Sequence, residues 1–321
     1  MGNYLQGRGI HVDRHLTNVA INYRPQGFIA DRIFPVVGVE KQTNMIKTYT
    51  QADLFRQERT LRAPGTEANK ISNQVGSDSY VALNYALKAD VTLEDRANAD
   101  LAFIRDLEEG RVMRVMDALA LDWEVRIKNN VTNTSNVGTN TAVSSAWTDL
   151  TNSDPLGDVW TQMDNVEGAT GYRPNRVLFS GDAWRYFSRN DAVIDKVNQT
   201  GVTGGGLTAS VEQAARLLQV DEVLVGNAYE NTAEEGIAQS LSRIWGDEVL
   251  CYYAPSRPSI ELPSFGYSFR WTGNGLPNMT VERHPYNSIT KTDEVEVGYY
   301  QDEKVTSTAL AALLVNVTSS N

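Results

Sequence analysis

The chain has 321 residues, 41% hydrophobic and 21% charged, so it can build a sizeable core and belongs with globular rather than disordered proteins. At about 150 residues per domain, this length predicts roughly two domains. A formal charge of −11 and a pI near 4.9 oppose the basic face with which sequence-reading nucleic-acid binders hold phosphate.

Residues 1–35 are polar, carry no sustained period and finish in "FIADRIFPVV". They read as an extended arm that docks through Phe28, Ile29, Ile33 and Phe34 and is able to lie on another subunit. "VEKQTNMIKTYT" (39–50) is strand-like. "DSYVALNYALKADVTL" (78–93) alternates Val81, Leu83, Tyr85, Leu87, Ala89 and Val91 with smaller or polar residues, the pattern of a half-buried strand able to pair with it antiparallel. Between them, 51–77 contains Arg56, Glu58, Arg59, Arg62, Glu67 and Lys70 and almost no apolar period. Structureless connections of that length are uncommon inside a compact domain, so the segment reads as a long charged hairpin projecting from the body.

Thr92-Leu93-Glu94-Asp95 gives the Thr-x-x-acid pattern of a helix start. Leu93, Ala97, Leu101, Ile104, Val112, Val115, Leu119, Trp123 and Ile127 recur at steps near three and four, predicting one spine helix to about Lys128, with Gly110 as a site for a bend. "NNVTNTSNVGTNTAVSS" (129–145) reads as a polar linker and domain boundary. A mixed stretch follows: helix "DPLGDVWTQMDNVEG", strand-turn-helix "GYRPNRVLFSGDAWRYF", helix "DAVIDKV", Gly-rich loop "TGVTGGGLT", helix "ASVEQAARLL" and strand "DEVLVGNA". From Arg243 strands dominate, and "QDEK" (301–304) reads as a hairpin turn before a final strand in "STALAALLVNV".

The search for chemistry is negative. Ser180-Gly181-Asp182 lies at a strand-to-helix turn, yet Leu178-Phe179 precede Ser180 where a nucleophile elbow needs G-x-S, and a P-loop's second Gly and Lys are missing. That turn reads as structural, with Asp182 capping the helix. His11 and His15 stand four apart with Asp13 between, but the acid is at the wrong offset for H-E-x-x-H and Gly7 and Gly9 oppose a helix, so no metal is expected. Gly204 to Gly206 read as a flexible loop, and Glu234-Glu235 and Asp293-Glu294 as solvated charge. Cys251 is the single cysteine, which excludes an intrachain disulfide and predicts a small buried hydrophobe on a strand. No stretch approaches the ~18 apolar residues of a membrane span, and "MGNYLQGRGIHVDRH" has neither a signal core nor the myristoylation Ser/Thr. No catalytic residue and no cofactor is expected.

In order, "NYALKADVTLEDRANAD", "GYRPNRVLFSGDAWRYFSRNDAVIDKV", "DEVLVGNAYEN" and "EVGYYQDEKVTSTALAALLVNV" make the chain resemble the major capsid (coat) proteins of tailed bacteriophages, the Hong Kong phage type of capsid fold. The resemblance implies an α+β fold with an N-terminal arm (1–35), an extended hairpin loop (36–91), a peripheral-domain spine helix and linker (92–145), a mixed α/β axial domain (146–275) and late strands returning to the peripheral domain (276–321). It implies a non-enzymatic virion protein that self-assembles through pentamers and hexamers into an icosahedral shell around double-stranded DNA, in the host cytoplasm, beside scaffolding, portal and decoration proteins. The charged hairpin, Arg56 to Lys70, would then touch a neighbour. Some relatives crosslink a loop Lys to a neighbour's Asn; Lys47 and Lys70 lie in the right region, but no Asn or Glu matches by motif, so no crosslink is expected. A nanocompartment shell of the same fold enclosing a cargo enzyme is the close alternative, and a mixed α/β hydrolase the distant one.

Overall fold

A computed structural model describes residues 11–12, 14–22, 27–49, 60–62, 64–65, 67, 75–98, 104–199, 208–234, 236–273, 278–284 and 286–318. The chain starts with β1 (His11–Val12) and α1 (Arg14–Asn22), whose Leu16 and Ala20 are buried one helical turn apart. A strap follows, made of α2 (Ala30–Ile33) and β2 (Val36–Val39). Next come β3 (Thr43–Tyr49), β4 (Val75–Val81) and β5 (Leu83–Thr92). Thr92 Oγ1 accepts the Asp95 N–H at 3.1 Å and opens α3 (Leu93–Asn98). The spine is α4 (Ile104–Thr132), 29 residues and about 44 Å long.

After β6 (Thr139–Ala142), α5 (Pro155–Thr170) is bounded by clear chemistry. Asp154 caps it by accepting the Gly157 N–H, Pro155 sits in its first turn, and Gly171 ends it at φ 72°, a left-handed conformation suited to glycine. Then follow β7 (Arg176–Ser180), α6 (Gly181–Phe187), α7 (Asp191–Gln199) and α8 (Val211–Leu218). A reciprocal Ser210/Gln213 capping box starts α8. The remaining strands are β8 (Glu222–Gly226), β9 (Tyr229–Asn231), β10 (Leu241–Arg243), β11 (Val249–Tyr252), β12 (Gly266–Trp271), β13 (Thr280–Arg283), β14 (Thr292–Val305) and β15 (Ala311–Val315).

Two larger sheets organise these elements. The first runs β1-β13-β14-β12-β2, with β5 also on β14. The second runs β6-β15-β11-β7-β8, and β3-β4 and β9-β10 are separate ribbons. Both larger sheets rest on the spine. Toward its N-terminal end, Val112, Val115, Met116 and Leu119 pack with α1 against Val295, Val297 and Tyr299, alternate residues of β14. Toward its C-terminal end, Ile127 and Val131 join Ile33 and Phe34 of the strap against Leu178, Leu224, Leu250 and Leu313 of the second sheet. The opposite face of that sheet carries α5 to α8 around Trp147, Phe179 and Phe187. Cys251 is buried in β11, where burial pushes its thiol up to about 12.

Several expectations need correction. Residues 14–22 are helical, because Leu16 and Ala20 find an apolar face on α4 and β13 to cover. Phe28, Ile29, Ile33 and Phe34 dock within their own chain. The predicted strand 78–93 breaks at the fully buried Ala82, with β4 in a ribbon and β5 in the first sheet. The expected spine is described over α3 and α4, and 99–103, between them, lie outside the described residues. The supposed linker supplies β6, paired in parallel with β15 from Thr139↔Ala312 to Ala142↔Val315. "QDEK" lies inside β14 and turns nothing. The expected axial stretch, 146–275, coincides with no single sheet: β12 belongs to the first and β15, far beyond 275, to the second. The Gly-rich loop at 204–206 lies outside the described residues.

The cap of α6 is Ser180, whose hydroxyl accepts the Ala183 N–H at 3.2 Å; Asp182 instead pairs with Arg243 and Arg185, both at 3.3 Å. Ser180→Ala is therefore expected to cost about 1 kcal/mol in urea unfolding of the subunit. Asp182→Ala, losing part-exposed ion pairs, is expected to cost ~0–1 kcal/mol. The opposite ranking would return the cap to Asp182.

Candidate assembly surface

The strap is held by one carboxylate. Glu124, fully buried on α4, accepts the backbone N–H groups of Ile29 (2.9 Å) and Ala30 (2.8 Å) on Oε2 and the indole N–H of Trp245 (2.6 Å) on Oε1. Ile29, the residue before α2, offers no side-chain cap of its own, so a carboxylate from another element serves there. Burial raises the Glu124 carboxyl above its ordinary range, the three hydrogen bonds oppose this, and Asp31 adds to the rise. Further along the strap, the Arg32 carbonyl oxygen accepts from Tyr252 Oη–H (3.2 Å) and Arg176 Nη1–H (2.5 Å), while its guanidinium pairs with Glu222. Phe34 then meets the Phe265 ring edge-on at 5.4 Å, and a Cβ on Gly266 would collide with it. Past Phe34, β2 pairs in parallel with β12.

From that anchored edge the hairpin stem departs. β3 pairs antiparallel with β4 from Thr43↔Val81 to Tyr49↔Val75. Its inner face is fixed by Ile46 and Tyr80, buried against Val37, Val39, Tyr267 and Phe269, with the Tyr80 and Phe269 rings stacked at 4.9 Å. At its base, Lys304 pairs with Asp78 at 2.6 Å and Asp302 Oδ2 accepts the Val81 N–H at 2.9 Å. The outer face exposes Met45. Of the predicted contact residues, Arg62 and Glu67 are exposed beyond this stem, while Arg56, Glu58, Arg59 and Lys70 lie outside the described residues.

The sequence reading missed the groups that hold this surface in shape. Glu124 sits three and seven residues before the buried Ile127 and Val131, and a carboxylate on an apolar helical stripe was the available signal. A second network joins α4 to the first sheet. Arg126 reaches Glu303 (2.9 and 3.3 Å) and Tyr299 Oη (3.2 Å) and lies 3.7 Å over the Tyr85 ring. Gln301 bridges Glu303 (2.6 Å) to the buried Arg270 (2.9 Å). On the opposite face, like charges stand directly across the sheet: Glu282 faces Glu296, and Asp90 faces Glu294. Lys88 pairs with Glu294 at 2.6 Å, and His284 Nε2 lies 2.8 Å from Glu296.

Two measurements follow. Glu124→Ala strands three buried donors, each worth ~1–3 kcal/mol, and is expected to destabilise the subunit by ~3 kcal/mol or more in chemical denaturation; Glu124→Gln, which keeps an acceptor oxygen, is expected to cost less. Burial first, and then the Glu296 carboxylate, raise the Glu282 carboxyl. The folded state thus holds that proton more tightly than the unfolded one, and stability falls as pH rises through and above the carboxylate range. Glu282→Gln cannot ionise, so its melting temperature is expected to exceed the parent's at about pH 7, with the difference vanishing toward about pH 4.

No protein-family model matches the chain. It is 27% identical over 293 residues to the major capsid protein of Burkholderia phage BcepMu, covering 88% of this chain and 91% of that one. It is 25% identical over 310 residues to the major capsid protein of Pseudomonas phage JBD67, covering 95% and 96%. In three dimensions it matches a crystallised phage-related protein from Bordetella bronchiseptica with TM-score 0.75 and 25% identity, over 96% of this chain and 97% of that one. The capsid protein of cyanophage P-SCSP1u shares the fold at TM-score 0.59 and 10% identity, over 94% and 90%. Along nearly its whole length this chain is thus similar in sequence to phage major capsid proteins and shares the fold of a phage capsid.

Proposed function

We propose that the chain is the building block of a phage capsid, joining its copies as pentamers and hexamers into a closed icosahedral shell around double-stranded DNA and catalysing nothing. The observation that carries this reading is the near full-length similarity to two phage major capsid proteins. In it, the chain from β3 to β4 acts as extended loop, the spine and the first sheet as a peripheral domain, and the second sheet with α5 to α8 as the bulk of an axial domain. The protein resides in the virion capsid after assembly in the host cytoplasm, with scaffolding, portal and decoration proteins as further partners. A net charge of −11 suits a wall along which packaged DNA slides rather than sticks.

The loop charges Arg56, Glu58, Arg59, Arg62, Glu67 and Lys70 meet a neighbouring subunit in this reading. A single exposed pair yields ~0–1 kcal/mol, but repetition around a closed shell multiplies it. Reversing Arg59 and Arg62 to Glu is expected to leave subunit stability within ~0.5 kcal/mol while blocking shell formation. Negative-stain microscopy and thermal melting check both halves. Normal shells from the double variant, or a subunit that unfolds with it, would remove the loop from this role. Nuclease-protected DNA inside parent particles distinguishes the capsid from an enzyme-filled compartment.

A further inference from the structure

β13 has a guarded outer side. Its inner side pairs with β14 from Thr280↔Gly298 to Arg283↔Val295, and the His284 N–H, one residue on, reaches the Glu294 carbonyl at 3.0 Å. Main-chain groups point to alternate sides along a strand, so Val281 and Arg283 turn theirs away from β14. Both meet the N-terminal segment. Arg283 stands opposite His11 of β1, and the Val281 N–H donates to Thr17 Oγ1 of α1 at 3.3 Å. A helix thus supplies a hydroxyl where another strand would supply a carbonyl, and the sheet ends there.

That cover has few attachments among the described residues. β1 is two residues long, and α1 buries Leu16, Thr17 and Ala20. Beneath them Val112, Val115, Met116 and Val281 form an apolar groove between the spine and β13. The strap that follows is held more firmly, by Glu124, by its Arg32 carbonyl and by Ile33 and Phe34 in the core. A lightly held end next to a firm anchor opens at a lower free energy than the body it covers. Once open, it bares a strand edge and an apolar groove side by side, the template on which another chain adds a strand.

We infer that residues 11–22 are a detachable guard, closed in the free subunit to keep the β13 edge from pairing with a strand of a second copy. Thr17 holds it shut: without that hydroxyl the buried Val281 N–H has to find another acceptor. The inference does not rest on the shell reading, because it concerns the subunit before any copy joins it.

Native-state hydrogen exchange and light scattering on purified full-length subunits test it. In the parent, the amides of Val281 and Arg283 are expected to exchange about tenfold or more faster than those of Val295, Val297 and Tyr299 in β14. Thr17→Val is expected to widen that ratio by a further factor of about ten and to associate at concentrations where the parent stays monomeric. Thr17→Ser, which keeps the hydroxyl, is expected to behave as the parent. A peptide of residues 11–22, added in excess, is expected to suppress the association of the Thr17→Val subunit. Val281 and Arg283 amides that exchange only together with β14 would overturn the inference, as would a Thr17→Val subunit that folds and associates no faster than the parent. Should Thr17→Val fail to fold, the exchange ratio in the parent decides.

Discussion

Everything in this subunit hangs on a buried carboxylate that meets no cation. Glu124 is held by three N–H donors, two from the strap and one from Trp245, and the charge that adds to its raised carboxyl is another acid, Asp31. Removing a carboxylate from water is costly. Here the cost is offset because the donors would themselves be orphaned: α2 needs an acceptor at its start, and an indole buried between sheet and spine needs one too. With the strap fixed, Ile33 and Phe34 enter the second sheet's core while β2 continues into the first. One short segment thus sets the two sheets against each other and against α4.

The second constraint works at the junction of spine and first sheet. Arg270 is buried, yet its direct partner is an amide oxygen, Gln301 Oε1, and its guanidinium lies 4.7 Å from the Tyr299 ring and 5.3 Å from the Trp123 ring. Its charge is balanced at one remove by Glu303, which Gln301 and Arg126 share. Burial lowers the Arg270 guanidinium from its ordinary range, and the aromatic faces limit that loss. The network joins β12, β14 and α4, the elements next to which the hairpin stem leaves the body.

Local chemistry was legible in the sequence at several self-contained helix starts, although the cap of α6 falls on Ser180 and not on Asp182. Asp154-Pro155 and Ser210 announce their helices because cap and helix lie within four residues of each other. The buried stripe from Val112 to Ile127 reads from period alone. What period cannot show is which partner a strand meets. Val81 and Leu83 continue one alternation, yet Ala82 passes the chain from a free ribbon into a sheet, and the apolar face of β5 stays largely in solvent at its first half. Asp302, Glu303 and Lys304 resembled a turn because their polarity suggested water, whereas Glu303 is consumed by Arg126 and Lys304 by Asp78. Asn140 and Thr141 looked like linker for a similar reason: β6 is a polar edge strand whose partner among the described residues, β15, comes far later in the sequence. Of the assembly surface, the sequence disclosed a charged segment between two strands; the carboxylate beneath it depends on contacts between distant residues.

The placement of β15 bears on synthesis. It is the last strand of its sheet to leave the ribosome, and it lies inside that sheet, between β6 and β11. Until it arrives, β6 has no neighbour and Leu313 and Leu314, which face opposite cores, are missing from both. Such non-local pairing delays completion of this sheet until β15 has been synthesised. A prematurely terminated chain therefore retains two unfilled cores, and chaperones and proteases meet it as an incomplete protein instead of a competitor for places in the shell.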